Sequence, residues 1–259
     1  MRLTVLDRGH RLPARLFFGF TELVSRVPMS DVPKTLLYRP DFFGAVFLDL
    51  SAKAMRGPSF WTAGEREYMA QKTAERLQCP YCAVTHTELV RIAGDPSPLR
   101  PELVAALAFL NDLTAPGLPR HAAVDALNVS LIWQVVNRLA NAFDFQLLPG
   151  QLESGTRSLH RFGYRFPGFL TGKATGDLRH AVLHAPAHTP PELRQAAATG
   201  DAWGSYAATV RDTSYRITDA DIARLKQDHT EDEIFEVTVA AAVGAALDHY
   251  DAALKILGD

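Results

Sequence analysis

The chain has 259 residues, enough for one large domain or two fused units, and its 47% hydrophobic and 22% charged residues can bury a substantial core. A net charge of −2, with no basic stripe interleaved with aromatics, argues against a nucleic-acid partner. Arg2, Arg8, Arg11 and Arg15 interrupt the first 20 residues, so no signal-peptide core is expected there, and Val237 to Leu247 falls far short of the ~20 apolar residues that span a bilayer. These features predict a cytoplasmic protein with neither nucleic acid nor membrane as partner, and with cysteines that rest reduced or cycle.

Alternating strand patterns are nearly absent and helical periods recur, which predicts an all-α fold. Thr62-Ala63-Gly64-Glu65 reads as a capping box that opens a helix to about Gln78. Cys79-Pro80 opens the next, with Cys79 as N-cap and Pro80 at the first helical position. It continues through His86 and Leu89 to about Ala93, where Gly94-Asp95-Pro96-Ser97-Pro98 stops it. Glu102 to Asp112 is amphipathic, and a long helix runs from about Ala122 to Phe143. Beyond Pro149-Gly150 the pattern weakens, and Gly163 to Gly176 and Ala185 to Pro191 read as loops or a linker. Helices resume at about Glu192 to Ala198 and Trp203 to Arg211, then after Thr218 and after Thr230, the last reaching Leu257.

Val124 to Trp133 and Ile234 to Val243 match in apolar phase, each after a short helix and a loop. The echo predicts two related helical units: residues 1–150, with an N-terminal helical extension, and residues 151–259, whose copy has no cysteine.

Both cysteines lie in one motif, Cys79-Pro80-Tyr81-Cys82, with His86 four residues on. So short a loop gains little from a structural disulfide, so the pair reads as a redox or metal device. Cys82 falls in the first turn of its helix, where free amides and the helix dipole favour a thiolate. His86 lies one turn on along the same face and can take its proton. A thiolate that attacks a peroxide becomes a sulfenic acid, which Cys79 can condense with. Zinc remains an alternative, but a structural site needs four ligands and no second Cys-x-x-Cys exists; inert thiols are a third reading.

The run from Gly64 through Glu67 and Ala74 to Cys79-Pro80-Tyr81-Cys82-Ala83-Val84-Thr85-His86 resembles the AhpD-like members of the carboxymuconolactone decarboxylase superfamily. Their signature is a Glu, eleven residues, Cys-x-x-Cys, three residues and a His, and Glu67, Cys79, Cys82 and His86 fit every spacing. Arg56-Gly57-Pro58-Ser59 looks like the family's loop ahead of this helix, and Val135 to Phe143 like the end of its long helix. The likeness covers about Pro40 to Phe145, and the remainder resembles the degenerate second unit of longer members.

The resemblance implies an AhpD-like helical bundle and a thiol-dependent peroxidase or disulfide oxidoreductase that reduces alkyl hydroperoxides. Cys82 is then the peroxidatic nucleophile, Cys79 the resolving thiol and His86 the proton acceptor, oriented by Glu67. No cofactor or metal is implied; the partners are a hydroperoxide, a thiol reductant and further copies of the chain. The alternatives are a decarboxylase or lactone-processing member, which works without a redox pair, and a non-enzymatic zinc-binding protein. Tyr81 stands where the best-known peroxidase of the family has a histidine, and tyrosine is no base near pH 7.

Simple hairpin geometry places Gln71 rather than Glu67 opposite His86, because Glu67 misses by some 7 Å along the axis. His180, His184 and His188 recur at four-residue spacing, but Pro186 should break their helix, so they read as loop or surface residues. Asn137-Arg138 reads as a helix-end polar pair, and Trp133 and Phe109 as core or interface.

Overall fold

The computed structural model describes residues 1–173 and 176–258, and among them every regular element is helical. In chain order they are α1 (Val5–Arg8), α2 (Leu12–Ser25), α3 (Asp31–Tyr38), a π-helical turn at Pro40–Gly44, and α4 (Ala45–Arg56). Next come α5 (Ala63–Arg76), α6 (Pro80–Ala93), α7 (Pro101–Asp112), α8 (Arg120–Phe143), α9 (Gln151–Phe162) and α10 (Gly168–Thr171). The chain closes with α11 (Leu178–Leu183), α12 (Pro191–Thr199), α13 (Tyr206–Thr213), a 3-10 turn at Ser214–Arg216, α14 (Asp219–Asp228) and α15 (Glu231–Ile256).

The start signals behave as local chemistry requires. Thr62 accepts from the Glu65 amide at 3.2 Å while Glu65 reaches back to the Thr62 amide at 2.9 Å. Thr218 with Asp221, and Thr230 with Glu233, close the same reciprocal pair. Three helices beyond Pro149-Gly150 were not expected from the sequence: α9, α11 and α10, a single turn inside the stretch read as loop or linker. α9 is polar apart from Leu152, Leu159 and Phe162, which fall on one face, so it has an amphipathic helical pattern, and it packs on α6. α11 is a short apolar segment inserted between the turn-rich stretches, too brief to carry a period.

The two longest helices, α8 and α15, pack on each other at the centre. Both are buried along most of their length, and one apolar cluster runs from Leu3 to Ala253. α4 and α5 pack on α8; α11, α12 and α13 pack on α15. Ala240 to Ala246 lies in this core, not on a surface: a Cβ on Gly244 would stand 2.4 Å from the Ala198 carbonyl oxygen, so α12 rides directly on α15. The N-terminal strap ties the two halves together. The Arg2 amide donates to the Phe143 carbonyl at 2.9 Å, and Thr4 and Val5 both donate to Glu231 at 2.8 Å. The polar pair Asn137 and Arg138, in the last two turns of α8, is buried, and Arg138 Nε donates to the Arg211 carbonyl at 2.7 Å.

α5 and α6 form a tight antiparallel hairpin. Gln78 turns the chain at φ 52°, and the Cys79 amide bonds back to the Ala74 carbonyl at 3.0 Å. At the open end, a Cβ on Gly64 would meet the Gly94 carbonyl oxygen at 1.7 Å. Gly64→Ala must therefore pry the start of α5 from the end of α6, at a cost of about 3 kcal/mol. Urea denaturation should read this as a lower midpoint, and an unchanged midpoint would contradict the contact.

Candidate functional site

On α5, Glu67, Ala70 and Ala74 share the buried face, so Glu67 occupies a position otherwise filled by small apolar residues. On α6, Cys82, His86, Leu89 and Val90 form the buried face at helical spacing. The hairpin brings the two faces together, and His86 Nδ1 lies 2.9 Å from Glu67 Oε2. The axial offset expected from the sequence is smaller in the structure because α5 ends at Arg76. Nine rises from Glu67 to that end against six from Pro80 to His86 leave about 5 Å, within reach of a glutamate side chain. Gln71, the residue expected there, instead points outward and bonds Glu75 at 3.1 Å.

Glu67 is fully buried and saturated with donors. Arg56, the last residue of α4, donates from Nη2 to Oε1 at 2.6 Å. The Tyr164 hydroxyl bridges both oxygens, at 2.9 and 3.0 Å. The Arg56 guanidinium also sits 5.1 Å over the Tyr164 ring. Burial pushes the Glu67 carboxyl up, but His86 and Arg56 outweigh it and hold the group below its ordinary value. Tyr164 is driven the other way, by burial and by the adjacent carboxylate, and stays protonated as a donor.

In the neutral imidazole, an ionised Glu67 places the single ring proton of His86 on Nδ1. Nε2 then carries a lone pair, and it is buried without a hydrogen-bond partner. The imidazole is held edge-on to Trp133 at 4.0 Å between ring centroids, while Trp133 Nε1 donates to the Met55 sulfur at 3.2 Å.

Cys79 caps α6, with its sulfur 3.4 Å from the Cys82 amide nitrogen. Both thiols are reduced and buried. The expected lowering of the Cys82 pKa by the helix start is not what its surroundings give. Burial pushes the Cys82 thiol well above its ordinary value, the hydrogen bond and charge of Cys79 add to this, and the Cys82 amide is already engaged by Cys79.

An apolar cavity of about 360 Å³ opens beside these groups. Cys82, His86, Trp133 and Tyr164 line it from the core side with residues of α4 and α8, and α2, α3 and α9 supply much of the rest of its wall. Cys79 is not among its lining residues. The cavity can hold an apolar molecule in contact with one sulfur and one imidazole.

Arg56 and Tyr164 are the site residues that sequence reasoning did not assign. Arg56 was placed only as part of a loop. Tyr164 lies in a segment read as linker, although the run Phe162-Gly163-Tyr164-Arg165-Phe166 is aromatic-rich for a solvated loop. Tyr81 packs edge-on against Phe145 and also lines the cavity, and burial raises its pKa, so it is no base. The three histidines do not form a row: α11 ends before His184, and His188 lies past Pro186 and pairs with Asp232 at 3.6 Å. Among the described residues no group of three His, Cys, Asp or Glu side chains is arranged to hold a metal ion. A scan of protein-family models and searches of curated proteins and of solved structures yield no significant match to this chain.

The cluster has a stability signature. A carboxyl held below its ordinary pKa stabilises the fold above its unfolded pKa, and that contribution is lost as pH falls through the folded value. Glu67→Gln leaves Arg56 and His86 without their anion and should cost about 3–5 kcal/mol at neutral pH. Tyr164→Phe removes one donor, costs about 1.5–3 kcal/mol and moves acid unfolding to higher pH. Circular dichroism titrations of the two variants check this; an unchanged acid midpoint in Tyr164→Phe would contradict it.

Proposed function

We propose that this chain is a thiol-dependent peroxidase or disulfide oxidoreductase of the AhpD-like type, working on hydroperoxides through Cys82. The observation that carries the reading is the free, buried Nε2 of His86. It is fixed by Glu67 on a helix face shared with Cys82, and both residues border one apolar cavity. A ring nitrogen with no partner, one helical turn from a thiol that rests protonated, can remove that proton when substrate arrives.

The chemistry then balances as follows. His86 takes the Cys82 proton, and the thiolate attacks the terminal oxygen of the hydroperoxide. The S–O bond forms, the O–O bond breaks, and the departing alkoxide takes a proton from the imidazolium to leave as an alcohol. Cys79 next attacks the sulfenic sulfur of Cys82. The S–S bond forms, the S–O bond breaks and water leaves. An external pair of thiols reduces the disulfide by exchange and restores the resting state. Arg56 and Tyr164 keep Glu67 ionised, which keeps the proton on Nδ1 and the lone pair on Nε2.

A duplicated origin accords with this reading. The order α4, α5, α8 is echoed by α11, α12, α15, with α5 packed on α8 as α12 is on α15. The second set has no cysteine.

Stopped-flow mixing of the reduced protein with an organic hydroperoxide, followed by mass mapping of the cysteines, tests the assignment. The wild-type protein should form a Cys79–Cys82 disulfide. Cys82→Ser should abolish peroxide consumption, and Cys79→Ser should react once and stall as a sulfenic acid on Cys82. His86→Ala should slow the first step by about 100-fold or more and shift it to higher pH. Reversed behaviour of the two serine variants would exchange the thiol roles. Full activity in both would leave cysteine-independent acid–base chemistry at His86, as in a decarboxylase or lactone-processing enzyme. One zinc per purified chain would overturn the redox reading.

A further inference from the structure

The helix that walls the cavity on its outer side, α2, is apolar on two faces. Ala14 and Phe18 are buried against the protein. Leu12, Leu16, Phe20, Leu23 and Val24 point away from it and are between 65% and 78% exposed. At 100° per residue these five fall within an arc of about 120°, so they form one continuous stripe. A helix that is apolar inside and out belongs in a non-aqueous setting, and five large exposed side chains on 14 residues are far from scattered. At 14 residues α2 is about 21 Å long, too short to cross a bilayer, and no described helix is long and apolar enough to do so.

The stripe continues across the cavity mouth. Phe162 at the end of α9 is 61% exposed, and Phe169, on the short helix α10 that packs against α2, is 66% exposed. Phe20 and Phe162 both line the cavity and face solvent at the same time. The exposed apolar surface therefore reaches the cavity mouth at Phe20 and Phe162.

The charge around this rim is mainly basic. Residues 1–30 and 151–173 together carry nine of the chain's 27 basic residues but only three of its 29 acidic ones, so a basic zone stands on a protein of net charge −2. Arg15, Arg26, Arg161 and Arg165 are exposed in these segments, Arg11 is paired with Asp41 at 3.0 Å, and α2 and α9 carry one carboxylate each, Glu22 and Glu153. Apolar side chains ringed by arginine fit a layer with an anionic surface over a hydrocarbon interior. A second copy of the chain fits less well, because a two-fold pairing of this face sets arginines against arginines.

We propose that the α2–α9 rim docks the protein on an anionic lipid surface, with α2 lying flat in the interface and the cavity mouth turned toward the acyl chains. The protein is then peripheral to the membrane, in place of the membrane-free protein that the sequence predicts.

Sedimentation of the full chain with vesicles tests the proposal, without any turnover, so it stands or falls apart from the thiol chemistry. The probes are phosphatidylcholine vesicles with and without phosphatidylglycerol. The expected result is binding to the anionic vesicles that weakens at high salt. The double variants Leu16→Glu/Leu23→Glu and Arg15→Glu/Arg26→Glu should each lose at least tenfold in partitioning, with helical circular dichroism unchanged. Neither pair lines the cavity. Failure of the wild-type protein to bind, or equal binding to both vesicle types, would overturn the proposal. So would partitioning unchanged in the variants, or a vesicle-free dimer that Leu16→Glu/Leu23→Glu converts to monomer, which would make the rim a chain–chain interface.

Discussion

A single buried carboxylate organises this molecule. Glu67 has no access to water, so its charge is tolerable only if partners converge on it, and they come from three separate parts of the chain. Arg56 arrives at the end of α4, His86 from α6 and Tyr164 from the turn after α9. Each partner is also held elsewhere: Arg56 by the Met55 carbonyl and the Tyr164 ring, and His86 by the edge of Trp133. The carboxylate therefore sets the position of α4, the register of the α5–α6 hairpin and the path of the chain into α10. The same anion fixes which imidazole nitrogen is left free. Packing and site chemistry are here one requirement.

The parts of this arrangement that depend on local rules were readable from the amino-acid order. The capping boxes at Thr62, Thr218 and Thr230, the proline at the head of α6 and the glycine after it fall where reading the sequence placed them. The two cysteines and His86 share a helix, so helical spacing alone relates them. Glu67 was harder. Fixed helix lengths pointed to Gln71, and only the early end of α5 at Arg76 brings Glu67 within side-chain reach of His86. Tyr164 lies 97 residues from the carboxylate it binds, and no spacing rule reaches across that distance. Its backbone, at φ 64°, is unusual for a residue other than glycine, and the segment around it reads as a turn.

Cys82 illustrates a second limit. Its place at the head of a helix argues for an acidic thiol, yet burial argues for the opposite, and burial wins. A helix start contributes through a few partial charges, whereas removal from water acts on the whole charge of the thiolate. Sequence position reveals the first effect only. The size of the second depends on helices α2, α3 and α9, which close over the site from distant parts of the chain.

The cavity also joins the most and the least anchored parts of the fold. Its inner wall includes Ile132, Trp133 and Val136 of α8, a helix buried along most of its length. Its outer wall is α2 and α9, which bury only two residues each. Opening free energy follows buried contact, so amide protons of α8 exchange by the slowest, most global openings, while those of α2 and α9 exchange through small local ones. The two covering helices differ in what they hold: α9 packs on α6 and leads within two residues to Tyr164, which binds Glu67, so its opening would disturb the carboxylate. α2 has no bond to that cluster, so passage into the cavity can follow the opening of α2 while the geometry beneath stays in place.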